Sequence, residues 1–476
     1  MIELQSLSFF YGEGETRAGI QDIDLRIEAG SFVLLCGESG CGKTTLTRVI
    51  NGLIPHFFDG ELSGRAIVHG LDIAETPLYE TAGIIGSVFQ NPRSQFFNLD
   101  TDSELAFGCE NLGLPESIIR DRVRKTVADF HIEPLMGRNI FALSTGEKQK
   151  IACASVDATD PAIYVLDEPS SNLDEASTAN LRLLLEHWKK RGKTVVISEH
   201  RLHYLAGLAD RVIYLREGRI VQTFSGKDFF ALSPDALAAL HLRNLSVPAF
   251  LRPAPEEIPP REKTIVIRGF QADRTDPDGG LRRCLDIDHL SVPAGEAIAV
   301  TGNNGAGKTT FARCLCGLEK KSRGTITLDG KLITPRERLK RCYLVMQDVT
   351  GQLFTESVLD EVLLSMAAED IFHAEAILDS LDLLQFRNRH PQSLSGGQKQ
   401  RLAIASAIAS ERDIIVLDEP TSGLDLTHMR EVVDAITRLL LLGKTVFVIT
   451  HDRELAAAVC SRAIRMERGK GDLFLK

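Results

Sequence analysis

Two kinds of pattern alternate along the chain. Short, continuous apolar runs rich in β-branched residues are separated by longer, more polar stretches patterned as helices. The first half carries Phe32-Val33-Leu34-Leu35-Cys36, Ala162-Ile163-Tyr164-Val165-Leu166 and Thr194-Val195-Val196-Ile197-Ser198. The second half carries Ala297-Ile298-Ala299-Val300, Ile414-Ile415-Val416-Leu417 and Thr445-Val446-Phe447-Val448-Ile449. Runs this short, with no polar alternation, suit strands buried on both faces of a parallel sheet. Strands alternating with helices place the chain in the α/β class.

The two halves repeat one another. Gly37 to Thr45 reads G-E-S-G-C-G-K-T-T, and Gly302 to Thr310 reads G-N-N-G-A-G-K-T-T, 265 positions later. Leu143-Ser144 recurs at Leu394-Ser395, Asp167-Glu168-Pro169 at Asp418-Glu419-Pro420, and His200 at His451, each 251 positions on. The back of each half superposes without gaps, so the front of the first carries 14 extra residues. Two copies of one domain account for this. The expected boundaries are 1–225 and 264–476, joined by a connector over 226–263. Pro234, Pro248, Pro253, Pro255, Pro259 and Pro260 make that connector semi-rigid. Its charges balance: Lys227, Arg243, Arg252, Arg261 and Lys263 against Asp228, Asp235, Glu256, Glu257 and Glu262.

The glycine stretches carry the first chemistry. Each follows an apolar strand and opens a helix, as in a phosphate-binding loop. Glycine lets the backbone turn its N–H groups toward a phosphate, and the helix points its positive end there. The expected nucleotide contacts are Gly37, Ser39, Gly40, Gly42, Lys43, Thr44 and Thr45, and Gly302, Asn304, Gly305, Gly307, Lys308, Thr309 and Thr310. Lys43 and Lys308 would reach the β- and γ-phosphates; Thr44 and Thr309 would hold Mg²⁺. Asp167 and Asp418 end strands, where ligands bind in such sheets, and would hold Mg²⁺ through water. Glu168 and Glu419 would polarise a water for attack on the γ-phosphate. His200 and His451 would touch that phosphate and the water. Ser144 and Gly146, like Ser395 and Gly397, lie at a helix start, which is anion-binding chemistry. Each of these has a plainer role available: acids and serines as helix caps, histidines as structural residues. Recurrence in one register favours the chemical role for the acids and histidines.

Composition narrows the rest. A net charge of −10 argues against a nucleic-acid partner held by bulk electrostatics. The nine cysteines contain no C-x-x-C, so no metal or disulfide framework is readable, and a reducing compartment is expected. Met1 leads straight into Ile2-Glu3-Leu4-Gln5, without a leader-like segment. No apolar run approaches the ~20 residues that span a bilayer. If the protein works at a membrane, another chain must cross it.

Taken in order, the phosphate loop, Leu-Ser-Gly-Gly-Gln at Leu394, strand-Asp-Glu-Pro and histidine resemble ABC ATPase domains, twice over nearly the whole chain. That resemblance implies, for each copy, a mainly parallel sheet core with an antiparallel β subdomain and a helical subdomain. It implies ATP and Mg²⁺ as cofactors, and two domains of one chain paired head to tail. One site would use Lys43, Thr44, Gln90, Asp167, Glu168 and His200 with Ser395 and Gly397. The other would use Lys308, Thr309, Gln347, Asp418, Glu419 and His451 with Ser144 and Gly146. Gln90 and Gln347 would also contact the metal. Ser171 to Asp174 and Ser422 to Asp425 resemble the loops that communicate between paired domains. Tyr11 matches the adenine-stacking aromatic, whereas Phe270-Gln271-Ala272-Asp273-Arg274 has none in that register. Thr145 replaces a glycine of the signature.

A narrower resemblance follows from Gly52-Leu53-Ile54-Pro55-His56-Phe57, from Phe89 to Phe97, from Glu104 to Gly113, and from Gln347-Asp348, Gln352 to Thr355 and Glu361-Val362. These look like the fused tandem ATPases of energy-coupling factor (ECF) importers of vitamins, their precursors or transition-metal ions. That resemblance implies a transmembrane coupling protein and a substrate-binding membrane subunit as partners, no nucleic acid, and a peripheral place on the cytoplasmic face of the membrane. Gln95-Phe96-Phe97 and Gln352-Leu353-Phe354 would line grooves for a partner's arginine-bearing helix, with acids Asp100, Asp102 and Glu104 or Glu356, Asp360 and Glu361 beside them. Internal packing is the alternative for those aromatics. For the whole chain the alternatives are a ribosome-associated ABC translation factor, which would favour a basic helical connector, and the tandem ATPase of a sugar importer. A DNA-maintenance ABC protein would want zinc cysteines or a coiled-coil insertion, and neither is present.

Overall fold

The computed structural model describes residues 1–12, 18–246, 263–275 and 280–475. The chain divides into two compact units, Met1–Ser246 and Val247–Lys476. In the first, six strands run in the order Arg219–Ser225, Arg211–Arg216, Phe32–Cys36, Thr194–Ser198, Ile163–Asp167, Ile85–Val88. The five from Arg211–Arg216 onward pair in parallel, and Arg219–Ser225 is added antiparallel at the edge. The second unit repeats the arrangement with Lys470–Leu475, Arg462–Glu467, Ala297–Thr301, Thr445–Ile449, Ile414–Asp418 and Cys342–Val345. Each unit also has a four-stranded antiparallel sheet. Gly19–Ile27, Ile2–Tyr11, Gly60–Val68 and Leu71–Asp72 form the first; Leu281–Pro293, Thr264–Thr275, Arg323–Leu328 and Lys331–Ile333 form the second.

Why the central runs are apolar throughout is visible in their two faces. Val33 and Leu35 point to a core shared with the antiparallel sheet and with Leu46, Val49 and Ile50 of the helix Lys43–Ile50. Phe32, Leu34 and Cys36 point to the opposite core, packed by the helices Thr101–Asn111, Thr145–Ala158 and Glu175–Lys190. Polar alternation would place a polar side chain in one of two dry layers, which is unfavourable without a partner. The helix that begins at the phosphate loop is thus held between two sheets.

The extra residues of the first copy can be placed. Gln90 and Gln347 are 257 positions apart, so eight of the 14 fall before them and six after. Those six match the helical segment: Glu116–Phe130 has 15 residues, and its counterpart Ile371–Asp379 has 9. The stretch after 225, expected within the connector, is folded in its first part. Gly226–Phe229 and Pro234–Ala239 are short helices, and Phe229, Leu237 and Leu242 join the first unit's core. Residues 247–262, which hold most of the prolines, lie outside the described residues.

Equivalent joints in the two copies are packed with different chemistry. Asp157, buried in the helix Thr145–Ala158, accepts hydrogen bonds from Tyr164 Oη at 2.9 Å, Trp188 Nε1 at 2.8 Å and Thr126 Oγ1 at 3.0 Å. Arg191 Nη1 lies 3.1 Å away and supplies the counter-charge. In the second unit the positions 251 residues on from Asp157, Tyr164 and Trp188 are Ile408, Ile415 and Leu439, all packed in an apolar cluster. Removing the carboxylate strands several buried donors, whereas the apolar version has none to strand. Asp157→Ala is expected to destabilise the first unit by about 3 kcal/mol. Trp188 is the single tryptophan, so a urea titration followed by its fluorescence reads that unit. An unchanged midpoint would show that the network contributes no net stability.

Candidate functional site

The glycine loops are shaped by a close backbone approach. Gly37 has φ 148° and Gly302 φ 140°. A Cβ on either would sit 2.2 Å from the carbonyl oxygen of Leu215 or Met466, so no other residue fits. The turn carries the chain over the edge of the sheet and brings the lysine back beneath it. Lys43 Nζ donates to the carbonyls of Gly37 at 2.9 Å and Glu38 at 2.8 Å. Lys308 Nζ donates to Gly302 at 2.7 Å and Asn303 at 3.2 Å. Both ammonium groups are buried, as are Thr45 and Thr310 one turn into the helix. Each loop therefore folds around its own cation, and a phosphate seated on the loop would meet a positive charge already in place.

The strand-end aspartates lie beside the loop threonines. Thr44 Oγ1 donates to Asp167 Oδ1 at 3.2 Å, and Thr309 Oγ1 to Asp418 Oδ2 at 3.0 Å. Burial raises both carboxyls above the ordinary aspartate range; hydrogen bonds from Ser198 at 2.5 Å and from Thr44 offset part of this for Asp167, and Thr309 does so for Asp418. A hard, oxygen-only donor pair whose negative charge is costly to bury suits Mg²⁺. The ion would supply charge neutralisation for phosphate oxygens.

Each following glutamate has an unusual backbone. Glu168 and Glu419 have φ 45° and 50°, a left-handed conformation that costs a non-glycine residue about 1 kcal/mol or more. Their N–H groups donate to Ser198 O at 3.0 Å and Ile449 O at 2.8 Å across to the next strand. The turn sends the glutamate toward the histidine, away from its neighbouring aspartate's partner. Glu168 Oε1 lies 3.1 Å from His200 Nε2, and Glu419 Oε1 lies 3.4 Å from His451 Nε2. Gln90 Nε2 donates to Glu168 Oε2 at 2.9 Å. His451 Nε2 also lies 2.9 Å from Lys308 Nζ and 3.2 Å from Asn304 Oδ1. Gln347 is exposed just beyond the strand Cys342–Val345. Within each unit the structure thus brings together lysine, threonine, aspartate, glutamate and histidine. A carboxylate against an imidazole beside a phosphate loop can hold and polarise a water. The positive φ was not readable from sequence, although a glutamate between a strand and Pro169 or Pro420 marks a forced turn.

The signature serines do the plainer work as well. Ser144 caps the helix Thr145–Ala158 in a capping box with Glu147, and Ser395 caps Gly396–Ala409 with Gln398. Both serines are exposed, and in the first unit the Glu147 carboxylate accepts from Ser144 N at 2.8 Å and from Ser144 Oγ at 2.7 Å. A Cβ on Gly146 would meet Ser177 Oγ at 2.2 Å, and one on Gly397 would meet the His428 ring at 2.5 Å. A Cβ on Gly396 would meet nothing within 4 Å, so Thr145 in that position strains nothing in its own unit.

Tyr11 is half-buried at the end of the strand Ile2–Tyr11. Its hydroxyl accepts from Arg48 at 3.0 Å, and its ring meets Phe9 edge-on at 4.8 Å and Phe58 at 6.3 Å. In the second unit Leu285 pairs with Ala272, where Ile20 pairs with Phe9. The adjoining pair there is Asp273 with Arg283, bridged at 2.5 Å. The ion pair stands at the position of Phe10 and Gly19, and Ala272 and Arg274 are in register with Phe9 and Tyr11.

Comparison with known proteins agrees with this geometry. The ABC transporter family profile matches residues 20–171 and again 285–422. A Treponema denticola protein named as an ABC transporter ATP-binding protein is 46% identical over 470 residues, covering 99% of this chain and 96% of its own. A solved structure of RNase-L inhibitor has a TM-score of 0.64 at 22% identity, covering 99% of this chain and 90% of its own. CbiO1 from Clostridium perfringens, part of the ABC transporter complex cbiONQ, is 30% identical with a TM-score of 0.44, covering 48% of this chain and 90% of its own. The chain belongs to the ABC transporter family, as a tandem of two ATPase domains. It is an ATPase, with ATP and Mg²⁺ as cofactors.

Two outcomes are expected. Lys43→Ala and Lys308→Ala each weaken one site, so titrating nucleotide into the pair separates them. The site built on Lys308 lacks the aromatic platform, worth roughly 1–3 kcal/mol in base stacking, and should bind ATP up to ~100-fold more weakly. Equal affinities in the two variants would remove the asymmetry. Glu168→Gln/Glu419→Gln should keep ATP bound but not hydrolyse it, and turnover at the wild-type rate would show that neither glutamate activates the water.

Proposed function

We propose that this chain energises an ECF-type importer of a vitamin, vitamin precursor or transition-metal ion. It would do so as a peripheral subunit on the cytoplasmic face of the membrane, with a transmembrane coupling protein and a substrate-binding membrane subunit. In this reading Lys43 and Lys308 hold the β- and γ-phosphates, and Thr44, Gln90 and Asp167, or Thr309, Gln347 and Asp418, hold Mg²⁺. Glu168 and Glu419 activate water, with His200 and His451 on the γ-phosphate. ATP would close composite sites completed by Ser144 and Gly146 or Ser395 and Gly397, and closure would move the partner. No helix among the described residues is long and apolar enough to cross a membrane; the crossing is assigned here to the partner chains.

The observation that carries this reading is a matched pair of aromatic projections just past the two glutamines. Phe97 is 76% exposed and Phe354 is 73% exposed. Their sequence neighbours turn the other way: Phe96 packs on the first unit's core, and Leu353 is buried in the second's. Phe97 stacks on Phe107 at 5.1 Å, and Leu364, at the position equivalent to Phe107, is exposed as well. A soluble chain gains nothing by holding such rings in water, and exposed aromatic anchors mark binding sites.

The backbone holding them corrects one expectation. Glu104 and Glu361 were expected to greet a partner's arginine, but they are 3% and 5% exposed. Glu104 Oε2 accepts from Phe97 N at 3.1 Å and from Asn98 N at 2.9 Å. Glu361 Oε2 accepts from Phe354 N and Thr355 N, both at 3.1 Å, and from Thr355 Oγ1 at 2.8 Å. Their charge is spent inward, on the amides that carry the aromatic residue. Asp100 is likewise engaged, capping the helix Thr101–Asn111 through Ser103 N, and Asp102 accepts from Gly137 N.

Phe97→Asp or Phe354→Asp is expected to cost about 2 kcal/mol or more of partner binding, some thirtyfold in affinity. Co-purification with the membrane subunits and uptake into vesicles should both be lost. ATP hydrolysis by the free chain should change little, because both rings are largely exposed to solvent. A variant that still assembles and transports would refute the docking assignment, and one that fails to fold would assign the aromatics to internal packing.

A further inference from the structure

The loops that carry the catalytic glutamate and histidine are tied together differently in the two units. In the second unit Thr421 Oγ1 donates to Asp452 Oδ2 at 2.8 Å, joining the segment after Glu419 to the segment after His451. Asp452 N donates to Thr450 Oγ1 at 2.9 Å. His451 N donates to the glutamate itself, Glu419 Oε2, at 3.2 Å.

The first unit has exchanged these residues. At the positions 251 residues earlier stand Ser170, Glu199 and Arg201 in place of Thr421, Thr450 and Asp452. Glu199 is 2% exposed and lies at the end of the strand Thr194–Ser198. Its Oε1 accepts from Ser170 N at 3.0 Å and from Tyr204 Oη at 2.7 Å. Its Oε2 accepts from His200 N at 3.1 Å and from Arg201 N at 3.4 Å. Arg201 Nη1 in turn donates to Leu173 O at 3.0 Å, fastening the same two loops a second time. The His200 amide, whose counterpart bonds the catalytic glutamate in the second unit, is thus taken by Glu199. Glu168 Oε2 bonds Gln90 at 2.9 Å.

We propose that Glu199 is a positioning residue for ATP hydrolysis at the first phosphate loop: by holding Ser170 and the His200 amide, it fixes the Glu168–His200 pair and leaves Glu168 to Gln90. Its carboxylate bonds Ser170, His200, Arg201 and Tyr204, so it acts through the two loops. A buried carboxylate with four donors around it is a rigid joint, since each oxygen is already used twice. The price of that rigidity is a desolvated charge: burial, with some repulsion from Glu168, pushes the Glu199 carboxyl up to about 7 against the hydrogen bonds from Tyr204 and Ser170. Among the described residues, the charged or titratable groups acting on it or on its partner Tyr204 are Glu168, Arg201 and Tyr204 itself. When Glu199 takes a proton, one oxygen can no longer accept twice, so the joint loosens as pH falls through about 7 and tightens above it.

The test uses the full chain with Lys308→Ala, so that turnover reads the first phosphate loop. Adding Glu199→Gln should lower kcat about ten- to a hundredfold, the usual cost of a misplaced catalytic pair. KM for ATP should stay within about twofold, because no phosphate contact is removed. The rise in kcat through pH 7 should shrink, since an amide does not titrate. A second variant, Ser170→Thr/Glu199→Thr/Arg201→Asp, installs the second unit's own residues and so protects against simple misfolding. It should fold and bind ATP, yet keep a reduced kcat because the His200 amide is returned to Glu168. If either folded variant matches the Lys308→Ala parent in kcat and in pH profile, the proposal is overturned. A loss of stability with unchanged kcat per folded molecule also overturns it, since that is what a merely structural clamp would do.

Discussion

Each unit depends on one tight turn at the end of a central strand. Two consecutive carboxylates, Asp167-Glu168 and Asp418-Glu419, must face different partners: the first a loop threonine, the second a histidine. An extended strand could place them on opposite faces of the sheet, but both are needed at its end. The left-handed glutamate solves this, and the cross-strand hydrogen bond from its amide holds the turn against its own strain. The neighbouring strand must therefore end in register with it. That requirement fixes where the histidine loop begins.

The central parts of this plan were legible in the sequence because they rest on local chemistry. A continuous apolar run reports burial on both sides, and a glycine loop between strand and helix reports a phosphate site wherever it occurs. The matched spacing of Asp-Glu-Pro and histidine then exposed the repeat. What escaped was the direction in which side chains spend their hydrogen bonds. Glu104 looks like any surface acid on a polar stretch, yet it is buried by the amides that fold back over it. Glu199 reads as an irregularity beside a histidine until the distant Ser170 is placed against it. Phe229, Leu237 and Leu242 lie among connector prolines, and their burial depends on a core surface built by residues far upstream.

The copies show how much freedom one architecture leaves. The joint between helical segment and sheet is a charged network around Asp157 in one unit and aliphatic in the other. Where Phe10 pairs with Gly19 in one, Asp273 and Arg283 form an ion pair in the other. The geometry around each phosphate loop survives all of these exchanges. Duplication has kept the positions of the reacting groups and relaxed the means of supporting them. Both sites thus hold the same lysine, threonine, aspartate, glutamate and histidine, with different residues supporting them.

The gapless register of the back halves has a further consequence for how the gene can change. Fourteen residues separate the copies before the signature, and none between it and the histidine. Forward of it, eight of the extra residues fall before Gln90 and six are absorbed by a longer helix. Behind it, the segment 168–173 is fastened at Ser170 and Leu173 to the segment 199–201, and a residue added to either would slide every contact past its mate. In this part of the chain loop length is under tighter constraint than residue identity. The fold accepts either Ser170, Glu199 and Arg201 or Thr421, Thr450 and Asp452 at these positions, at a cost in turnover when they are exchanged, but the number of steps between strand and strand is the same in both.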